Sequence, residues 1–416
     1  MFRNRILAYV VVGIAVCATE ARSQVEPGRA PLTLAAAVSE AMERNPELAA
    51  LRQEYEAMRA TPAVERYLDP PMVEAQIWGW PVTTLNPART DMFMFMAEQQ
   101  LPGRGKRTAK VLVAERDAEV SRQAVPVRAN DILASIRQAF VELALARDLV
   151  DRYASQTTLL EDIAETATLR YAAGEGPQQH TVTAIVEIAN IENARISAEE
   201  RAQTAETTLN TLLGRPPAQP IEPLAPTASL VSPADAESRA LAAHPEVVMV
   251  ETMVAREEAE LERLRGERRP DFVVGGGYML TPGEAGAWTA RAGITWPNAP
   301  WSRGRLGAQI EVQTRRVEAA RARRAVVAAR IRETVRAAIV RMSAAERQLR
   351  LIDTTMLPQI EHAFELSRIA YAAGEGDFAD VLEARRMWLM TEVDYAEATA
   401  KLARAHADLD AAAGAL

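Results

Sequence analysis

The six residues Tyr-Ala-Ala-Gly-Glu-Gly stand at positions 171–176 and again at 371–376, 200 positions apart in a chain of 416. The register reaches well beyond this hexapeptide. Asn45-Pro46-Glu47 answers to His244-Pro245-Glu246, Arg104-Gly105-Lys106 to Arg303-Gly304-Arg305, and Leu209 with Gly214 to Leu409 with Gly414. One unit has been duplicated, so any acceptable fold must build the same order of elements twice. Residues 24–214 read as the first unit and 234–416 as the second, joined by a Pro-rich linker at 215–233.

The chain opens with a basic start, an apolar run over residues 6–18 and a small-residue site at Ala21-Arg22-Ser23. That pattern predicts a signal peptide over residues 1–23. The run is too short for a membrane span, which needs roughly 20 apolar residues, so any membrane contact is expected to use something other than helices. Cys17, the only cysteine, lies inside this segment. Cleavage after Ser23 leaves no thiol; lipid attachment at Cys17 is the alternative, and the bulk of Val16 before it argues against that. A net charge of −8 speaks against nucleic acid, because the basic residues interleave with acids along helical stretches and form no concentrated basic face. His180, His244, His362 and His406 are too scattered for a local metal motif, and no nucleophile, base and orienting group recur together. Neither an enzyme nor a cofactor site is expected.

Each unit begins with a stretch rich in Ala, Glu, Leu and Arg, residues 32–66 and 234–268, which favours helix. Pro70-Pro71 and Pro270 then end the helical pattern, and a two-residue alternation follows. Four strands are predicted, at about 72–80, 91–99, 271–280 and 287–296. In the first, Val73, Ala75 and Ile77 oppose Glu74 and Gln76; in the second, Phe93 and Phe95 oppose Met92, Met94 and Met96. Phe272, Val274 and Tyr278 share a face of the third, and Trp288, Ala290, Ala292, Ile294 and Trp296 a face of the fourth. The interval between Trp288 and Trp296 is ~26 Å along a strand, or roughly 20 Å vertically at the tilt of a membrane barrel. Trp78, Trp80, Trp288 and Trp296 are therefore candidate membrane-interface aromatics. A soluble sandwich is the competing reading, but it needs a second sheet to cover the apolar face, and the sequence offers none.

Long helical patterns follow at 105–172 and 303–372, with Pro126 and Pro358 as expected kinks. Beyond each hexapeptide the chain returns through a shorter helix, and the last one repeats every seven residues at Val381, Trp388, Tyr395, Leu402 and Leu409. Small residues follow three positions on, at Ala384, Thr391, Ala398, Ala405 and Ala412, which makes a close-packed coiled-coil seam. The opening and closing helices of a unit together match the long one in length. Each unit is thus a rod with a strand hairpin at one end and the Gly-rich turn at the other. Four strands are too few to close a membrane barrel, so the chain must oligomerise: two copies supply eight strands and three supply twelve, and only the larger number leaves a useful bore. The fold class expected is mainly α with a small membrane β-barrel.

Taken in order and in duplicate, these residues give the chain a resemblance to the TolC-like outer membrane efflux proteins. It rests on Leu32-Thr33-Leu34 with Asn45-Pro46-Glu47, on Leu-Pro-Gly-Arg-Gly-Lys-Arg at 101–107, and on the segment from Leu209 to Gly214 before Arg215-Pro216-Pro217. It rests most of all on Tyr-Ala-Ala-Gly-Glu-Gly-Asp-Phe-Ala-Asp-Val-Leu-Glu at 371–383. The resemblance implies a homotrimer in outer-membrane lipid, a helical tunnel across the periplasm, and docking to a periplasmic adaptor and an inner-membrane pump such as an RND transporter. It also implies that Tyr371, Asp380 and Glu383 stand at the periplasmic aperture, and that the tips Gly174, Glu175, Gly176, Gly374, Glu375 and Gly376 meet the adaptor. Gly376 departs from the family's best-known member, which has a gating arginine there. His180 stands where the second unit has Asp380, so the two tips are not expected to be equivalent. The 101–107 segment looks like that of the heavy-metal branch, which points to metal cations ahead of drugs or other small molecules as cargo. Met92, Met94 and Met96 are of a type that could in principle hold soft ions, but as lumen or packing residues filling irregular space they are better explained. A periplasmic coiled-coil scaffold or adaptor with a small soluble β domain is the competing reading from another class.

Overall fold

The computed structural model describes residues 32–83, 86, 89–221 and 231–414. The expected signal peptide, Cys17 and the centre of the Pro-rich linker lie outside these residues.

The opening segment of each unit is two helices, where the sequence pattern suggested one stretch. In the first unit α1 (Leu34–Arg44) and α2 (Pro46–Glu65) meet at Asn45, whose side chain accepts hydrogen bonds from the Glu47 and Leu48 amides at 2.9 and 3.2 Å. Proline follows at the first helical position, where its missing N–H costs nothing. This is why Pro-Glu recurs behind a capping side chain: the tripeptide starts a new helix. The second unit repeats the device with His244, whose Nδ1 accepts from the Glu246 amide at 3.2 Å. Burial lowers the His244 pKa, and the neutral ring that results is the form able to accept.

Between these helix pairs the chain runs out and back. The hairpin β1 (Met72–Trp78) and β2 (Met92–Leu101) leads into α3 (Lys106–Ala172), 67 residues and so about 100 Å long. Helix α4 (Gln179–Leu213) returns and ends at Gly214 in the left-handed region, φ +71°. A Cβ at Gly214 would come within 2.7 Å of the Arg44 carbonyl, so the closing helix docks directly on the helix break. Asn45 completes the joint by donating to the Leu212 carbonyl at 2.8 Å. The second unit follows as α5 (Ala236–Ala243), α6 (Pro245–Gly266), β3 (Asp271–Leu280), β4 (Ala287–Thr295), α7 (Arg303–Leu351), a π-turn (Ile352–Met356), α8 (Leu357–Ala373) and α9 (Phe378–Ala412). Gly414, φ +66°, packs on His244 as Gly214 packs on Arg44.

Of the two prolines expected to kink the long helices, only Pro358 sits at an interruption. It can donate no backbone hydrogen bond, and one residue earlier the Leu357 amide reaches the Ile352 carbonyl, five residues back, which widens the helix into the π-turn. Pro126 lies within an unbroken α3.

Of the heptad positions of α9, the small residues Ala384, Thr391, Ala398, Ala405 and Ala412 are all buried, whereas among the large ones Val381 and Leu409 are buried and Trp388, Tyr395 and Leu402 half-buried. Polar ties cross between the units. Arg137 of α3 donates to Asp410 of α9 at 3.1 Å with both side chains buried, and Asp410 also accepts from the Val231 amide. Glu142 holds Arg201 of its own unit and Arg404 of the other.

The four strands form one antiparallel sheet in the order β1-β2-β3-β4. The first ends two residues short of the expected span and the second runs to Leu101. Where the sheet meets the helices, the Leu-Pro-Gly-Arg-Gly-Lys-Arg segment wraps the Asp271 carboxylate. The Gly103 amide donates to it at 2.8 Å, and the buried Lys106 ammonium bridges it to Glu267 at 2.8 and 2.9 Å. Gly105, φ +83°, makes the turn that lets Lys106 begin α3. The segment that suggested a metal-handling branch therefore has a structural task in this chain.

Candidate functional site

The sheet is built inside out. Register places Ala75, Phe95, Tyr278 and Trp288 in one row across the four strands, and Ile77, Phe93 and Leu280 in the next. The same face carries Val73, Phe272, Val274 and Ile294, so the apolar faces of all four strands coincide. This face is exposed, with Trp288 at 84% and Ile294 at 63%. The opposite face is polar and, along β3, the more sheltered of the two. There Glu98 and Arg291 form an ion pair at 3.0 Å across Gly275, whose missing side chain leaves the way open. A soluble protein hides its apolar face; this sheet presents it. No second sheet covers it among the described residues, and the outer edges of β1 and β4 pair with nothing there. The sandwich reading fails on both counts.

Of the four candidate interface tryptophans, Trp288 stands on the apolar face beside Tyr278, with ring centroids 5.0 Å apart. Trp296 and Trp80 lie just beyond strand ends and are exposed. Trp78 differs. It shares the polar face with Glu74 and Gln76, and its indole donates to Gln76 at 3.0 Å, so it faces away from the apolar band.

At the far end of the rods, both hexapeptides close helix C-termini in the same way. The Glu175 amide returns to the Arg170 carbonyl and the Glu375 amide to the Ala370 carbonyl, at 2.8 and 3.0 Å. Gly174 and Gly374 take the left-handed conformation at φ +78° and +80°, whereas Gly176 and Gly376 do not need it. The tips Gly174, Glu175, Gly374 and Glu375 are exposed.

Identical sequence nevertheless gives unequal environments. Tyr171 is 48% exposed, while Tyr371 is 7% exposed and packs on Phe378 at 5.4 Å. His180 stacks on Phe378 at 4.6 Å. Arg170 then joins the two tips, donating to the Tyr371 carbonyl at 2.7 Å with its guanidinium 4.7 Å from the centre of the Tyr371 ring. Sequence reasoning passed over Arg170, although one signal was present: the position before the repeated Tyr is Arg in one copy and Ala in the other. Tyr371 thus belongs to a buried junction between hairpins. Asp380 and Glu383 do not join it; both lie exposed on one face of α9, and Glu383 stands 3.8 Å from Arg386.

Two further groups behind the tips were not legible in the sequence. Arg385 is 1% exposed and donates to the Gln156 carbonyl at 3.2 Å, and burial pushes its pKa down to about 10. Its neighbour Arg386 bonds Glu187, a carboxylate only 9% exposed, and holds it below its ordinary value near 4.5 despite opposing burial. The stability from a depressed carboxylate is present above the unfolded value and lost as pH falls through the folded one. The hairpin ends are therefore expected to loosen below about pH 4.5, read as faster amide exchange in α4 and α9 around Glu187 and Arg386, with Glu187→Gln abolishing the pH step.

No helix among the described residues is long and apolar enough to cross a membrane. The sequence profile described as outer membrane efflux protein matches residues 37–215 and again 237–415, one match for each unit. The cobalt-zinc-cadmium resistance protein CzcC of Cupriavidus metallidurans is 25% identical over 381 residues, covering 88% of this chain and 86% of that protein. The fold is shared with the outer-membrane channel OprN at a TM-score of 0.76 and 18% identity, covering 92% of this chain and 89% of that one. It is shared equally with CusC, at 0.78 and 15% over 91% of each chain. For the outer membrane protein VceC of Vibrio cholerae the values are 0.76 and 16%, over 92% of this chain and 96% of that one. With its unit matched twice and its sheet turned apolar side out, the chain belongs to the outer membrane efflux protein family.

Proposed function

We propose that three copies of this chain close a twelve-stranded barrel in the outer membrane and continue as a helical tunnel into the periplasm. The assembly is a passive exit duct for heavy-metal cations, fed by an inner-membrane pump of the RND type through a periplasmic adaptor. The observation that carries this reading is the inside-out sheet with two bare edges. Such edges are not tolerated in lipid, and the sheet persists there only if other copies complete it. Two copies give eight strands, whose interior side chains fill; three give a bore. The metal assignment rests on the likeness to a cobalt-zinc-cadmium resistance protein.

In this reading Asp380 and Glu383, three apart and exposed, contribute six carboxylates around the threefold axis and draw cations to the aperture. Tyr371 holds the neighbouring junction. The tips Gly174, Glu175, Gly176, Gly374, Glu375 and Gly376 meet the adaptor, and Trp80, Trp288 and Trp296 sit at the membrane interface. The duct performs no bond chemistry and needs no cofactor; the pump supplies the energy.

Detergent-extracted protein in a planar bilayer is expected to give discrete conductance steps, and a silent bilayer would sink the duct. A deletion strain is expected to become sensitive to cobalt, zinc or cadmium with drug tolerance unchanged; the reverse pattern moves the cargo to drugs. Gly174→Val and Gly374→Val are expected to impair efflux while leaving the trimer intact, because a β-branched residue at positive φ costs about 1–3 kcal/mol and distorts the tip locally. At Gly374 the new Cβ also comes within 3.2 Å of Arg170. Normal efflux from intact trimers of either variant would remove the tips from the adaptor contact.

A further inference from the structure

Methionine is distributed over the sheet with a strict bias. The four strands contain five methionines, Met72, Met92, Met94, Met96 and Met279. Register puts every one of them on the polar face, in line with Glu74, Gln76, Glu98 and Arg291, and none among the Val, Phe, Leu and Trp of the apolar face. Hydrophobicity alone would send them the other way. A gap-filling role accounts for methionine in a packed core, but this face also holds charged groups and three glycines, Gly275, Gly277 and Gly293, that leave space unfilled.

The spacing concentrates the sulfurs. Met94 lies directly across from Met279 on the neighbouring strand, and Met92 and Met96 flank it on its own strand, each ~7 Å away along the chain. Met96 faces Gly277, and its side chain lies so low over that glycine that a Cβ there would come within 2.8 Å of the Met96 Cγ. Gly277 is two residues from Met279, so the bare position lets Met96 lean over the strand that carries Met279. Met92, Met94 and Met96 are half-buried, as is Met279. Thioether sulfurs are soft donors without charge, and they select soft ions over the divalent ions that prefer carboxylate and imidazole. Long flexible side chains can gather around an ion and release it, which is what passage requires.

We infer that the polar face of the sheet carries a thioether site for soft monovalent cations, Cu(I) or Ag(I), formed by Met94, Met96 and Met279 with Met92 beside them. The inference rests on the barrel reading only in that the polar face then lines the bore; the site itself is a property of β2 and β3. It names a class of cargo softer than cobalt, zinc or cadmium.

Ag(I), which needs no reductant, is the probe. The purified full protein is compared with the triple variant Met94→Leu/Met96→Leu/Met279→Leu, which nearly conserves volume and is expected to keep the sheet and its conductance. Both proteins are compared after cleavage at Ser23, which removes Cys17, so that no thiol competes for Ag(I). Wild type is expected to take up about one Ag(I) per chain and the variant to bind at least ~10-fold more weakly, with Zn(II) binding the same in both. Ag(I) is also expected to lower the conductance of wild type and not of the variant. Equal uptake by wild type and triple variant, or none by wild type, overturns the site even where conductance is normal. A silent bilayer together with methionine-dependent Ag(I) uptake would sink the duct and uphold the site.

Discussion

Arg170→Ala is expected to shift the tunnel end towards an open state, seen as larger or longer conductance steps in a planar bilayer at unchanged trimer stability. Arg170 ties the two hairpin tips through both the Tyr371 carbonyl and the Tyr371 ring, beside the stack of His180 on Phe378. A charged hydrogen bond contributes about 1.5–3 kcal/mol and a partly exposed cation–π contact about 0.5–1 kcal/mol. Discounting for exposure, a loss of about 2 kcal/mol per protomer corresponds to roughly a 30-fold change in the balance of closed and open tips. Arg170→Lys keeps the charge but loses the planar fork, so its effect is expected to be intermediate. Tyr371→Phe is expected to be nearly silent, because the contact uses the backbone and the ring. If Arg170→Ala conducts like wild type, or Tyr371→Phe opens as far as Arg170→Ala does, this tie is not what holds the tips.

Asp410→Ala is expected to destabilise the helical region by about 3–5 kcal/mol, since it strands the Arg137 guanidinium in the interior. The two side chains are 10% and 5% exposed and meet at 3.1 Å, so little water can replace the lost carboxylate. The Val231 amide loses its acceptor in the same step. A fall of roughly 5 °C or more in apparent melting temperature is the expected readout. The double variant Arg137→Met/Asp410→Leu is expected to recover most of that loss, because an apolar pair of similar volume has no charge to desolvate. A single variant that melts like wild type would mean the pair contributes nothing to holding the two units together.

Much of the architecture was legible because it is periodic. Alternation every two residues located β1 to β4 to within a few positions, and the seven-residue repeat identified the buried seam of α9. The glycines of the hexapeptides marked the turns, since few other residues tolerate a positive φ there. The break at Asn45 and His244 was not read, although the Asn-Pro-Glu correspondence was in view, because a single capping residue barely disturbs a helical pattern around it. Pro126 misled in the opposite direction, since a missing N–H and a ring can be absorbed in a helix supported along its whole length.

The site residues divide along the same line. By itself the sequence determined the duplicated unit, the four amphipathic strands, the turns at Gly174 and Gly374, and the shared helix face of Asp380 and Glu383, because each depends on residues a few positions apart or on direct repetition. Only the tertiary structure decided that the apolar faces of all four strands coincide, that five methionines share the other face, and that Arg170 reaches a tyrosine 201 positions away. Those outcomes follow from the register between elements. Register is set by how length-matched helices fold back on one another, and no local period in the chain encodes it.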